Sequence, residues 1–279
     1  MDRFLFEKFI VPLDDEILDG FYNMILSKAQ RKVEYKEKGY YNYYPQEPGN
    51  IQIILETSRK GNNLNLENMF FHHTSGSVWR LKIINPLKNF PNTYMASRED
   101  GTGGIVIRLV NEAVLGEELK SGDIIEAQVS AFAINGGIFE TEQDYKESVP
   151  ISKNGEKFLI DDGTIIPLNL IINNNANLSE GEKAQKEHFK DNLLTYKGTI
   201  KYADAFDVNM FDMDLHRYYN VVINTEYGEL PIYFTKELLN PNMQGFGEGN
   251  IIEGELFLSG DVCINGYDKY IKENDLTIK

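Results

Sequence analysis

One seven-residue signature occurs twice in this chain. Gly122-Asp123-Ile124-Ile125-Glu126-Ala127-Gln128 matches Gly249-Asn250-Ile251-Ile252-Glu253-Gly254-Glu255 at a spacing of 127 residues (249 minus 122). In each copy Gly with Asp or Asn makes a tight turn. Two β-branched residues then open a strand, and alternation aims one of its sides inward. The spacing is the length of a domain, not of a solenoid repeat. The surrounding order repeats as well: strand, turn, strand, irregular insert, signature, long strand. Ile105-Val106-Ile107 corresponds to Leu230-Pro231-Ile232 in that order, at a slightly different offset. A chain of 279 residues has room for two units of ordinary size.

Strand signals fill both units. Val78-Trp79-Arg80-Leu81-Lys82-Ile83 alternates at period two, so Trp79 belongs to the core. Strands are expected at 51–57, 105–107, 124–134, 196–202, 218–225, 230–234 and 251–258, with turns at 61–63, 100–104 and 161–163. A helix is expected over 13–38, because Ile17, Leu18, Phe21, Ile25 and Leu26 recur at helical spacing behind Asp14 and Asp15. Asn173-Asn174-Asn175-Ala176-Asn177 reads as a linker, and Ser179 with Glu182 then resembles a capping box for a helix running to Leu194. Each half has the element order of a small Greek-key barrel and in this resembles the OB type, over 70–160 and 193–272. The expected fold is mainly β (α+β): tandem OB-like barrels with an N-terminal helix and a helix between the halves. A pair of β-sandwich modules is the alternative. The corresponding division is an N-terminal helix and strand extension at 1–65, a first β domain at 66–172, a linker and helix at 173–192, and a second β domain at 193–279.

Composition narrows the function classes. The net charge of −15 works against binding nucleic acid, which draws affinity from neutralised phosphates. The same charge would steer the protein toward basic partners, besides keeping it soluble. The single cysteine, Cys263, cannot form an internal disulfide, which favours a reducing, cytoplasmic compartment. Its residue type predicts a small buried apolar side chain. The N-terminal MDRFLFEKFIVPLDDE has no basic region followed by an apolar run, and no stretch is long enough to span a membrane.

Three constellations could carry chemistry or contacts. The richest is 204–216, with Asp204, Asp207, Asp212, Asp214 and His216. It lacks the central Gly and closing Glu of an EF-hand loop. It reads as an acidic hairpin loop that contacts a basic partner; Asp212, Asp214 and His216 are the weaker metal candidates. The second is the run Tyr40, Tyr41, Tyr43 and Tyr44, whose rings suit a partner interface or packing between sheets. The third is His72-His73; neighbours on a strand face opposite ways, so both cannot ligate one ion. No nucleophile elbow, phosphate loop, dinucleotide fingerprint or HExxH is present, and no catalytic residue or cofactor is expected.

The leading expectation is a non-catalytic acidic binding protein that docks a protein partner. Immunity-type proteins that neutralise basic effectors share this profile by analogy alone. The alternatives are an OB-like binder of single-stranded nucleic acid or oligosaccharide, and a metal-dependent hydrolase using the acidic loop.

Overall fold

The computed structural model describes residues 15–35, 37–44, 51–61, 63–88, 90, 92–112, 119–149, 157–172, 192–208, 216–236, 245–263 and 277–278. The chain is mainly β, and the strands of the described residues form two sheets.

The first sheet is built from helix α1 (Asp15–Lys28) and strands β1 (Arg31–Tyr35), β2 (Lys38–Tyr43), β3 (Ile51–Lys60) and β4 (Asn63–His73). The expected helix therefore stops at Lys28. Beyond it, Lys32-Val33-Glu34-Tyr35 alternates at period two, and Val33 pairs with Tyr40 in an antiparallel ladder. The tyrosine run is the partner strand of that ladder. The short strand Thr277–Ile278 pairs with the other edge of β1.

The second sheet runs through β5 (Ser77–Pro86), β6 (Thr93–Arg98), β7 (Ile105–Leu109), β8 (Ile124–Phe139), helix α2 (Glu142–Ser148), β9 (Thr164–Pro167), helix α3 (Asn169–Ile172), β10 (Leu194–Val208), β11 (His216–Thr225), β12 (Gly228–Thr235) and β13 (Ile251–Val262). Residues 173–191, which hold the expected linker and most of the expected helix after it, lie outside the described residues, and Leu194 already belongs to β10.

Its pairings close on themselves twice. β5, β6 and β7 form an antiparallel meander; β7 pairs in parallel with β13, β13 pairs antiparallel with β8, and β8 returns to β5. β10, β11 and β12 form a second meander; β12 pairs in parallel with β8, and β13 returns to β10. β8 and β13 thus belong to both circuits.

These shared strands are the ones opened by the repeated signature. Gly122 and Gly249 take φ of 96° and 90°, a region that favours glycine. The turns also bond alike. Gly122 N–H donates to Ile83 O and Ile83 N–H to Asp123 O, each at 2.8 Å. Gly249 N–H donates to Ile200 O and Ile200 N–H to Asn250 O, again at 2.8 Å. A register shift follows at Ile83 in β5 and at Ile200 in β10. Where β8 and β13 cross most closely, Gly136 faces Gly254. A Cβ on Gly254 would come within 2.1 Å of Asn135 O, so only glycine fits.

Alternation along β8 feeds two cores. Ala127, Val129, Ala131 and Ala133 join Trp79, Leu81, Ile107, Val221 and Leu256 in one apolar cluster. Phe132 and Ile134 join Phe257, Tyr218 and Tyr233 in a second, which the first sheet covers with Ile53, Leu55 and Phe71. Burying each large apolar side chain of these clusters, such as Leu81 or Phe257, stabilises by about 1.5–3 kcal/mol. Trp79 is buried and donates its indole N–H to Glu229 O at 3.1 Å. Cys263 departs from expectation: it follows the last residue of β13 and is exposed. Among the described residues no helix is long and apolar enough to cross a membrane.

Candidate functional site

The acidic segment is the far end of the β10–β11 hairpin. Asp204 pairs with Asn220, Asp207 with Arg217 and Val208 with His216. Asp212 and Asp214 lie outside the described residues, as does the His216 side chain. Arg217 grips Asp207 through two hydrogen bonds, Nε to Oδ1 at 2.8 Å and Nη2 to Oδ2 at 2.9 Å. That grip holds the Asp207 carboxyl below its ordinary range and raises Arg217. The pair is solvent-exposed, so it adds little stability. Asp204 is also exposed. It accepts from its own neighbours: Tyr202 OH at 3.2 Å and the Ala205 N–H at 2.7 Å. Tyr202 is itself 53% exposed, so hydroxyl, ring and carboxylate stand together at the surface.

The tyrosine run lies elsewhere and faces inward. Tyr40 is 1% exposed and Tyr41 6%, while Tyr43 and Tyr44 are half-buried. Tyr41 donates to Glu34 at 2.7 Å, and burial with that carboxylate pushes its phenol up to about 12. Tyr40 sits in a buried polar knot between the sheets. Asn92 donates through Nδ2 to both Tyr40 OH and Glu56 Oε1, each at 2.9 Å. Asn68 donates to the other Glu56 oxygen at 3.0 Å. Burial first, and Glu56 second, push the Tyr40 phenol well above its usual value. Tyr40 and Tyr41 therefore offer no ring to a partner, and the structure does not bring them onto one surface with the hairpin aspartates. The knot itself had no sequence signal, because its members come from β2, β3, β4 and the turn before β6.

The histidines hold the two sheets together. His72 Nδ1 lies 2.9 Å from Ser259 Oγ on β13, and Ser259 lies 3.0 Å from Ser130 on β8. His73 stacks on Tyr233 with ring centroids 3.9 Å apart, and its Nδ1 lies 2.8 Å from Tyr233 OH. Burial, helped by the neighbouring His72, lowers the His73 pKa to about 3, so its ring is neutral at ordinary pH. A serine beside an imidazole is the start of a nucleophilic pair. Here His72, Ser130 and Ser259 are all at most 1% exposed, whereas Ser75, whose Oγ lies 2.9 Å from His73 Nδ1, is exposed.

A buried lysine fixes α2. Lys197 is 2% exposed; its Nζ meets Glu142 at 2.8 Å and lies 4.5 Å from the Tyr145 ring centroid. Among the described residues no group of three or more His, Cys, Asp or Glu side chains is placed to hold a metal ion. None of the protein-family models, curated proteins or solved structures compared with this chain matches it.

Proposed function

We propose that the chain is a non-catalytic binding protein that docks a basic protein partner through the β10–β11 hairpin. The observation carrying this reading is the contrast in exposure. Asp204 and Tyr202 stand at the surface of a chain with net charge −15, whereas the His72–Ser130–Ser259 and Glu56–Asn92 clusters are buried. Exposed acids on an acidic protein raise the encounter rate with a basic partner and set its orientation.

The scaffold in this proposal is a duplicated unit forming two OB-like barrels that interlock. Its support is the strand order: each meander is completed by one long strand of its own half and one from the other half. The repeated Gly-[Asp/Asn]-Ile-Ile-Glu turns, with matching bonds to Ile83 and Ile200, support the duplication. In an OB-like barrel the hairpin loop between the first two strands is a frequent contact element, and β10–β11 occupies that position. The reading as a binder of oligonucleotide or oligosaccharide has less support. The outer faces it would use carry Tyr218 and Tyr233, which are 1% and 0% exposed beneath the first sheet. The hydrolase reading loses one candidate ligand to Arg217, which occupies both Asp207 oxygens.

The test is affinity capture from cells with the native chain and with Asp204→Lys. The native chain should retain a basic protein at about 50 mM salt and release it as the Debye length shrinks near 0.5 M. Charge reversal should lower the recovery. A partner held equally by both chains would contradict the proposal, as would recovery of no protein at all.

A further inference from the structure

Among the described residues the docking element has one strand edge without a partner strand. Backbone N–H and C=O groups alternate between the two edges of a strand. In β10, Ile200 turns both of its groups toward the Gly249–Asn250 turn. The register then shifts between Ile200 and Tyr202, so Ala203, Ala205 and Asp207 inherit that edge while Tyr202, Asp204 and Phe206 face β11. The hairpin turn gives the same assignment. Thr225 and Gly228 close a two-residue turn, which directs Val222, Asn220 and Tyr218 toward β10. The Ala205 N–H agrees: its acceptor is the Asp204 side chain at 2.7 Å, not a neighbouring strand. Among the described residues no strand pairs with this edge, because β13 starts at Ile251, opposite Thr199.

We propose that this edge takes up an extended basic segment of the partner as an added strand. The inference rests on the docking reading above. Main-chain bonds from Ala203, Ala205 and Asp207 would supply affinity, and the aspartates would select lysine or arginine. The small side chains at Ala203 and Ala205 leave the approach open. A second copy of this chain is the disfavoured occupant, because pairing β10 with itself would bring Asp204 and Asp207 of both copies together. The same charges keep an exposed edge from self-association.

The probe is an eight-residue peptide alternating lysine and valine, compared with a version N-methylated at every residue. The two have equal charge, but only the first keeps N–H donors along either edge. The unmodified peptide should bind and slow hydrogen exchange at Ala203, Ala205 and Asp207. The N-methylated peptide should bind about tenfold more weakly or worse, the loss expected for backbone hydrogen bonds. Ala205→Pro should give a similar loss while leaving the fold intact, since proline is tolerated where the N–H faces away from the ladder. Equal binding of the two peptides, coupled with loss in Asp204→Lys, would overturn strand addition and leave charge-driven docking standing. Protection of the three amides in the free chain, a dimer in solution, or no peptide binding would also overturn it.

Discussion

Ala131 pairs with Leu258 across the β8–β13 ladder, and their numbers differ by 127 (258 minus 131), the spacing that separates Gly122 from Gly249. Under the proposed duplication these two residues are at once partners and repeat mates, so a two-fold axis passes between them. The flanking pairs are then mates of each other. Ser130–Ser259 lies on one side, with oxygens 3.0 Å apart, and Phe132–Phe257 on the other, with rings stacked at 5.3 Å. One pair accepts His72 of β4, while the other packs beneath the apolar part of the first sheet. Among the described residues the first sheet has no counterpart, and it gives the two pairs different work.

The Phe132–Phe257 stack should behave as a coupled unit. Each single change to Ala should cost about 3–5 kcal/mol, from lost burial and the cavity left behind. The double variant should cost less than the sum, by roughly 0.5–1.5 kcal/mol for the ring–ring contact. Urea unfolding of the four proteins measures the cycle. Strict additivity would mean that the rings do not interact.

Asn92 should tolerate Gly better than Ala. Its φ of 53° lies in the left-handed region, and its side chain donates to Tyr40 and Glu56. Either change removes these donors beside a buried carboxylate, costing about 1–3 kcal/mol. Ala adds backbone strain of about 1 kcal/mol that Gly avoids. Thermal or chemical denaturation ranks the three proteins. An Ala variant more stable than the Gly variant would refute the strain argument.

Acid should weaken the seam between the sheets through His73. Its folded pKa of about 3 lies below the ordinary histidine value of 6.5, so between these pH values the unfolded chain binds the extra proton. Stability is then fully present above about pH 6.5 and is lost as pH falls toward 3, at up to about 1.4 kcal/mol per pH unit. His73→Phe keeps a ring against Tyr233 and removes this titration. Its unfolding free energy should fall less steeply with acid across that window. Parallel pH profiles for the two proteins would show that His73 does not carry the dependence.

The long strands were legible because their signals are local: a glycine turn followed by β-branched residues marks β8 and β13 wherever they pair. Asp204 and Asp207, expected in a loop, lie in β10, whose ladder with β11 extends to Val208 and His216. The first sheet was harder to see. Lys32 to Tyr35 follows a helical pattern without a break, and only pairing with Tyr40 and its neighbours decides for a strand. Burial of Tyr40, Tyr41 and both histidines was not legible, because it depends on one sheet lying over another. The parallel pairings were also hidden: β7 pairs with β13 and β12 with β8, far apart in sequence, and no local residue pattern specifies that.

The interlock itself is tested most directly by cutting the chain between Glu180 and Gly181 and purifying the two pieces apart. Each meander then lacks the strand that the other piece carries. Neither piece alone should show the near-ultraviolet circular dichroism of ordered aromatic side chains, and mixing them in equal amounts should restore the spectrum of the intact protein. Two pieces that each unfold cooperatively on their own, and do not associate when mixed, would contradict it.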